Sequence, residues 1–181
     1  GCPSMFDLDH SGSIEKPRTL DAEGPLALTL SPYIPRIGQF LAHNAGRYPG
    51  VTYLPQRRED LRLLLWGEPA AKTPKGVPSA ADDPLYRSQR MAMGVDLSVW
   101  SGFLSSQQFA FGTRIHGTIV ALHAGTPAFL LAHDTRTLEL AEYHEIPHLR
   151  ITEGGAFDAM ELFERADFTR YNAVTAERRQ R

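Results

Sequence analysis

The stretch FAFGTRIHGTIVAL, at residues 109–122, decides how this chain folds. Its first three residues are apolar and predict a buried strand, and residues 119–122 form a second apolar run that predicts a helix. The residues between them, 112–117, mark the turn from strand to helix. Arg114 and His116 therefore stand at the point where a helix begins.

The start of a helix favours an anion as its ligand, because its first N–H groups have no partner within the helix and carry partial positive charge. Arg114 adds a permanently charged fork that fits a carboxylate or a phosphate, and His116 has an ordinary pKa near neutrality. Anion binding and proton transfer can share this turn, with Thr113, Ile115 and Gly117 as further candidates for substrate contact. Taken alone, the motif fits equally well an arginine that caps a surface turn beside a buried histidine.

A second stretch of the same kind follows, PAFLLAHDTRTLEL at residues 127–140. It predicts another buried strand that runs into a polar helix start, with Asp134 as the N-cap. His133 and Arg136 lie near that helix start, and Glu139 lies further along. Open α/β sheets bind ligands at the carboxyl ends of their strands, so these four residues join the candidates for substrate binding.

Short apolar runs and longer amphipathic runs alternate along the chain. The predicted strands are residues 26–30, 51–54, 109–111, 128–131 and 148–151, and the predicted helices are residues 37–43, 61–66, 95–104, 160–165 and 168–176. This alternation predicts the α/β class, with a Rossmann-like, doubly wound parallel sheet.

Two segments differ from this pattern. Residues 1–23 are polar and rich in turns, which indicates a linker or a remnant of an N-terminal half, so that the Rossmann-like domain spans residues 24–181. Residues 67–84 contain four prolines and predict an exposed, mobile loop, which in some proteins serves as a lid.

Composition excludes several classes of function. The chain has 181 residues, of which 42% are hydrophobic and 22% charged, as in a water-soluble globular domain. No apolar run approaches the roughly 20 residues that cross a bilayer, which excludes a transmembrane segment and leaves open only peripheral contact with a membrane. The net charge of −2 and the absence of a basic stripe argue against nucleic acid as a partner. No secretory signal pattern is visible, so a cytoplasmic location is expected.

The cysteine and histidine content argues against a metal. The only cysteine, Cys2, excludes an internal disulfide and a cysteine-based metal site. Five histidines lie between residues 116 and 148, but their spacing is not that of zinc ligands. We therefore expect no metal and no bound cofactor.

At these residues the chain resembles the polysaccharide pyruvyl transferase family. The resemblance rests on GTRIHG at 112–117, GTP at 125–127, HDTR at 133–136 and IP at 146–147, together with the intervening strands and helices. The opening residues Gly1-Cys2-Pro3-Ser4 also resemble the segment where that family's N-terminal domain ends. The specific part of the resemblance covers about forty residues.

The resemblance implies a fold and an activity. Members of this family have a fold similar to the two-domain GT-B glycosyltransferases and transfer pyruvate from phosphoenolpyruvate to sugar hydroxyls, so this chain is expected to be the C-terminal half of such a fold. The Arg-x-His pair, Arg114 and His116 here, is associated with donor binding and catalysis in the family. Nothing in the chain resembles the N-terminal half, so we expect that missing domain to complete the site for a saccharide or lipid-linked saccharide acceptor. The activity, in exopolysaccharide or cell-surface glycan biosynthesis, is expected of the parent protein.

Phosphoenolpyruvate carries a carboxylate and a phosphate, so its binding requires two cationic sites close together. We expect Arg114 with the N–H groups around Ile115 to bind one group, and Arg136 with the helix start after Asp134 to bind the other. His116 is then the candidate general acid or base. Two further side chains, His133 and Glu139, are expected to orient a substrate.

Two other functions remain open at this point. One is the donor-binding domain of a nucleotide-sugar-dependent GT-B glycosyltransferase, in which Glu139 would contact a ribose. The other is a non-catalytic family member that keeps the fold and has lost turnover.

Overall fold

The computed structural model describes residues 13–180 of the chain. The Gly1–Ser4 part of the family resemblance, and Cys2 with it, lie outside the described residues. Within residues 13–180, no helix combines the length and the apolar character that crossing a membrane requires.

Five parallel strands form one sheet, in the order β2-β1-β3-β4-β5. They are β1 (Leu26–Thr29), β2 (Val51–Leu54), β3 (Phe109–Gly112), β4 (Ala128–Ala132) and β5 (His148–Arg150). Every residue of β1, β3 and β4 is buried, as expected for strands that helices cover on both faces. The α/β, Rossmann-like fold class predicted from the sequence is confirmed.

At least one helix follows each strand, and the helices flank the sheet. They are α1 (Ile37–Arg47), α2 (Arg58–Trp66), α3 (Pro84–Arg87), α4 (Leu97–Ser105), α5 (Ile115–His123), α6 (Thr135–Tyr143), α7 (Ala159–Arg165) and α8 (Thr169–Gln180). The crossovers β1-α1-β2 and β3-α5-β4 run in opposite directions across the sheet. Because such crossovers are right-handed, α1 and α5 lie on opposite faces.

Aromatic side chains join the sheet to the helices on one face. Phe109 and Phe111 of β3 stack with ring centroids 5.8 Å apart. Phe40 of α1 packs edge-on against Phe111 at 5.8 Å, and Phe163 of α7 packs edge-on against Phe109 at 5.4 Å. The central strand is thereby fixed against two helices, which holds the end of β3 in place.

The order of the strands reverses between β1 and β3. From β1 the chain moves outward to β2, makes a single parallel bridge between Tyr53 and Met91, and then crosses to the other side of β1. In open α/β sheets the crevice at such a reversal, beyond the carboxyl ends of the strands, is where ligands bind. A binding site is therefore expected at the loops that follow β1 and β3.

Two segments pack more closely than the sequence predicts. In the proline-rich loop, Ala70 and Val77 are buried, so the loop is not wholly exposed; its mobility stays a prediction. N-terminal to residue 24, Ile14 and Leu20 are also buried, and the N–H of Ile14 donates to Asn172 Oδ1 at 2.8 Å. Part of the predicted linker thus packs on the domain, while its role as a boundary stays a prediction.

Candidate functional site

A pocket of about 230 Å³ lies at the carboxyl ends of β1, β3 and β4, and is called the strand-end pocket below. Seven of the residues predicted from the sequence line it: Thr113, Arg114, Ile115, His116, His133, Asp134 and Arg136. Ser31, Tyr33 and Thr137 complete the lining. The structure thus brings the two predicted segments together at the reversal point of the sheet.

Arg114 is held in place by oxygens that carry no charge. It is the N-cap residue of α5, and its Nε donates to the carbonyl oxygen of Leu30, after β1, at 2.6 Å. Its Nη1 donates to Oε1 of Gln56, after β2, at 3.4 Å. Burial lowers the pKa of Arg114, but a guanidinium remains charged at neutral pH. No carboxylate within residues 13–180 forms an ion pair with it, so its charge is available to a ligand.

His116 stands on the first turn of α5 and is exposed. Burial of part of the ring lowers its pKa, and the positive charges of Arg136 and Arg114 lower it further. The neutral imidazole is therefore the form present at pH 7. A neutral imidazole can accept a proton from a hydroxyl group and return it later, which is the chemistry of a general base and acid.

His133 and Asp134 form the opposite side of the pocket. His133 Nε2 lies 3.6 Å from Asp134 Oδ2. Burial lowers the pKa of His133, and the neighbouring Asp134 carboxylate opposes that effect. His133 is thus a second neutral imidazole in the same pocket.

Asp134 acts as the N-cap of α6, as predicted. Its Oδ1 accepts a hydrogen bond from the N–H of Thr137 at 2.7 Å. Burial raises the pKa of Asp134, but the hydrogen bonds from Thr137 and the nearby Arg136 guanidinium outweigh burial and lower it. This carboxylate is ionised and already engaged by the helix.

The turn of α5 has no such cap, since Arg114 makes no side-chain cap hydrogen bond. The first N–H groups of α5 therefore face the pocket side of the turn without a carboxylate of their own. Together with Arg114 and Arg136 they give the strand-end pocket an excess of positive charge, which suits an anion.

Three predicted residues serve the packing around the site. Thr113 is fully buried, and its hydroxyl accepts the N–H of Ser31 at 2.7 Å, which ties the end of β3 to the loop after β1. The Ile115 side chain lies in the core. Gly117 does not line the pocket: a Cβ there would lie 2.7 Å from Cγ2 of Thr29, so glycine allows α5 to approach β1. Contact of these residues with a substrate stays a prediction.

Glu139 is not among the residues that line the pocket; it is exposed on α6. Conversely, Ser31, Tyr33 and Gln56 take part in the site and were not predicted. Each follows a predicted strand within a few residues, so the rule that ligands bind at carboxyl ends would have pointed to all three. No group of three or more His, Cys, Asp or Glu side chains among the described residues is arranged to hold a metal ion.

Comparison with family models, with curated proteins and with solved structures gives no match for this chain. A function is therefore argued from the geometry and charge of the strand-end pocket.

Proposed function

We propose that the strand-end pocket binds phosphoenolpyruvate and that this domain supplies the donor site of a pyruvyl transferase. The observation that carries the proposal is Arg114, which is held at the reversal point of the sheet by two neutral oxygens and faces no carboxylate partner within residues 13–180. With Arg136 on the same pocket, two positive charges are available to a small ligand with two anionic groups.

Each anionic group of phosphoenolpyruvate has a candidate partner. Arg114 and the first N–H groups of α5 would bind one, and Arg136 at the start of α6 would bind the other. The volume of about 230 Å³ suits a small ligand. Both groups would then be held in the pocket that His116 lines.

Ketal formation requires proton transfers that a neutral imidazole supports. A sugar hydroxyl adds to C2 of the enol while a proton is delivered to the methylene carbon, and a second hydroxyl then displaces phosphate at C2. Of the two protons that the hydroxyls lose, one balances the proton delivered to the methylene carbon and the other leaves with the phosphate; His116, neutral at pH 7, is placed to take up a proton and return it. Such general acid–base catalysis contributes typically about 10²–10⁴-fold in rate.

The glycosyltransferase alternative receives no support from the site. It required Glu139 near a ribose, and Glu139 does not line the pocket. A non-catalytic binding domain would keep the same donor site, so turnover with a saccharide acceptor distinguishes it from an enzyme.

The decisive experiment measures ligand-dependent thermal stability with phosphoenolpyruvate, inorganic phosphate and UDP. A ligand that binds only the native state raises the melting temperature. Phosphoenolpyruvate should raise it more than phosphate does, and Arg114→Ala should abolish the difference. The control is Arg62→Ala, which removes an exposed arginine of α2 that pairs with Glu68. This variant should keep the difference between the two ligands.

Two results would contradict the proposal. A rise with UDP alone would indicate a nucleotide-sugar donor. An equal rise with phosphoenolpyruvate in Arg114→Ala would place the donor elsewhere.

A further inference from the structure

Two arginines at the carboxyl ends of the strands, Arg57 after β2 and Arg114 after β3, are held in different ways. Arg57 is neutralised: its Nε donates to Asp60 Oδ2 at 2.9 Å, its Nη2 donates to Oδ1, and Asp60 is almost fully buried. Arg114 instead meets the side-chain amide of Gln56, which accepts a hydrogen bond from Nη1 at 3.4 Å. Arg57 is thus bound by a carboxylate, whereas Arg114 is bound by the amide of Gln56, the residue before Arg57.

The amide of Gln56 can orient Arg114 without neutralising its charge, which a carboxylate could not do. An amide oxygen and the Leu30 carbonyl fix the plane of the Arg114 guanidinium without cancelling its charge. A carboxylate in the place of Gln56 would form an ion pair with Arg114 and compete with any anionic ligand.

Gln56 holds this position at a cost to the fold. Its Nε2 is buried and has no hydrogen-bond partner among the described residues. An unsatisfied buried donor destabilises the folded state, whereas an apolar group of the same shape is close to neutral. The opposite amide orientation would turn Nε2 towards the Arg114 donor and lose the one hydrogen bond that Gln56 makes to it.

We infer that Gln56 is a positioning residue that orients Arg114 towards the strand-end pocket while leaving its charge free for an anion. It acts through Arg114, since Gln56 itself does not line the pocket. The inference deepens the proposed function and rests on anion binding at Arg114.

The test compares Gln56→Met and Gln56→Glu with the unmodified protein. Dissociation constants for phosphoenolpyruvate and for inorganic phosphate are measured by calorimetry well below the melting temperature, and thermal unfolding is measured without ligand. Gln39→Met is the matched control, because Gln39 Oε1 accepts a hydrogen bond from Arg36 Nε at 2.8 Å on an exposed part of α1.

A positioning role predicts that affinity for anions falls without a loss of stability. Gln56→Met should weaken binding of both anions about tenfold, the low end for a hydrogen bond to a charged group, without lowering the melting temperature. Gln56→Glu should weaken it further, about hundredfold, because the new carboxylate neutralises Arg114. Gln39→Met should leave both dissociation constants unchanged.

The outcomes separate this inference from the proposed function. Unchanged affinity in both Gln56 variants, or a melting temperature that falls together with affinity, would overturn the positioning role. If the unmodified protein binds phosphate as tightly as phosphoenolpyruvate, the proposed function fails, and the phosphate series alone then decides the role of Gln56. Failure of the unmodified protein to bind either anion would overturn both.

Discussion

Two polar clusters in this molecule use the same kinds of side chain for different purposes. The first, called the capping cluster below, consists of Asp158 and the side chains around it, Tyr48, His43 and Arg47. Asp158 is buried, and its Oδ1 accepts a hydrogen bond from the Tyr48 hydroxyl. Its Oδ2 lies 3.2 Å from His43 Nε2 and 3.3 Å from Arg47 Nε. This carboxylate also caps α7 by accepting the N–H of Met160 at 3.0 Å.

The second cluster is the strand-end pocket, where the balance is reversed. Arg114, Arg136, His116 and His133 surround one carboxylate, Asp134, which already caps α6. In the capping cluster Arg47 and His43 converge on a buried carboxylate that the protein supplies. In the strand-end pocket the two arginines line an open cavity. The difference shows how to separate a structural cluster from a binding site: by whether the charges are compensated within the fold.

The shifts in pKa follow the same distinction. Burial raises the pKa of Asp158, but hydrogen bonds from the Tyr48 hydroxyl, the Met160 N–H and His43, together with the charge of Arg47, outweigh burial and lower it. The pKa of Tyr48 rises, through burial first and then through Asp158. In the pocket, the pKa values of both histidines fall because burial and arginine charges disfavour a further positive charge.

The largest expected effect distinguishes the two N-cap aspartates. Asp158→Ala leaves the Tyr48 hydroxyl without its acceptor and removes the cap of α7, so the free energy of unfolding should fall by about 2–4 kcal/mol. Asp134→Ala removes a cap whose side chain is 46% exposed, and should cost about 1 kcal/mol. Urea unfolding of both variants measures the difference. Equal losses would mean that the capping cluster contributes no more than an ordinary helix cap.

The next effect concerns two exposed arginines, one from each cluster. Arg136→Ala should weaken phosphoenolpyruvate binding roughly ten- to hundredfold, because a hydrogen bond to a charged group contributes about 1.5–3 kcal/mol. Arg47→Ala should leave the dissociation constant unchanged, since Arg47 pairs with Asp158 outside the pocket. Isothermal titration calorimetry measures the dissociation constant of phosphoenolpyruvate for both variants. Loss of affinity in Arg47→Ala, or none in Arg136→Ala, would show that the charge excess in the pocket does not govern binding.

Much of the fold could be predicted because its strands are parallel and buried. Such strands read as continuous apolar runs, as in β4, which is covered on both faces. Boundaries were less accurate: α2 begins at Arg58, three residues before the predicted start. The reason is its N-cap, Arg57, whose guanidinium and N–H both bind Asp60, a pairing that ordinary N-cap preferences do not include.

The site was predictable where its residues belong to a recognisable turn from strand to helix. Arg114 and His116 share a recognisable turn, whereas Gln56 reaches Arg114 across 58 positions and Tyr48 reaches Asp158 across 110. Such contacts arise from strand order and helix packing, which no local pattern encodes. Glu139 illustrates the opposite failure, because a polar residue near a motif was expected in the pocket and lies on the exposed face of its helix.

The smallest expected effect is a difference in acid sensitivity between the clusters. For His116 and His133 the folded-state pKa lies below that of the unfolded chain, about 6.5. The unfolded chain therefore binds more protons as the pH falls through that value, and stability is lost there. For Asp158 the folded-state pKa lies below the usual 3.8, so its contribution is present above that pH and is lost as the pH falls further.

Two acid steps should thus appear in the free energy of unfolding measured against pH. The double variant His116→Gln/His133→Gln should lose the upper step, and Asp158→Asn should reduce the lower one. Saturating phosphate should also diminish the upper step, because an anion in the pocket stabilises the protonated histidines of the folded state. An upper step that persists in the double variant would mean that the pocket histidines do not carry it. The compensated and uncompensated clusters would then no longer be distinguishable by their response to acid.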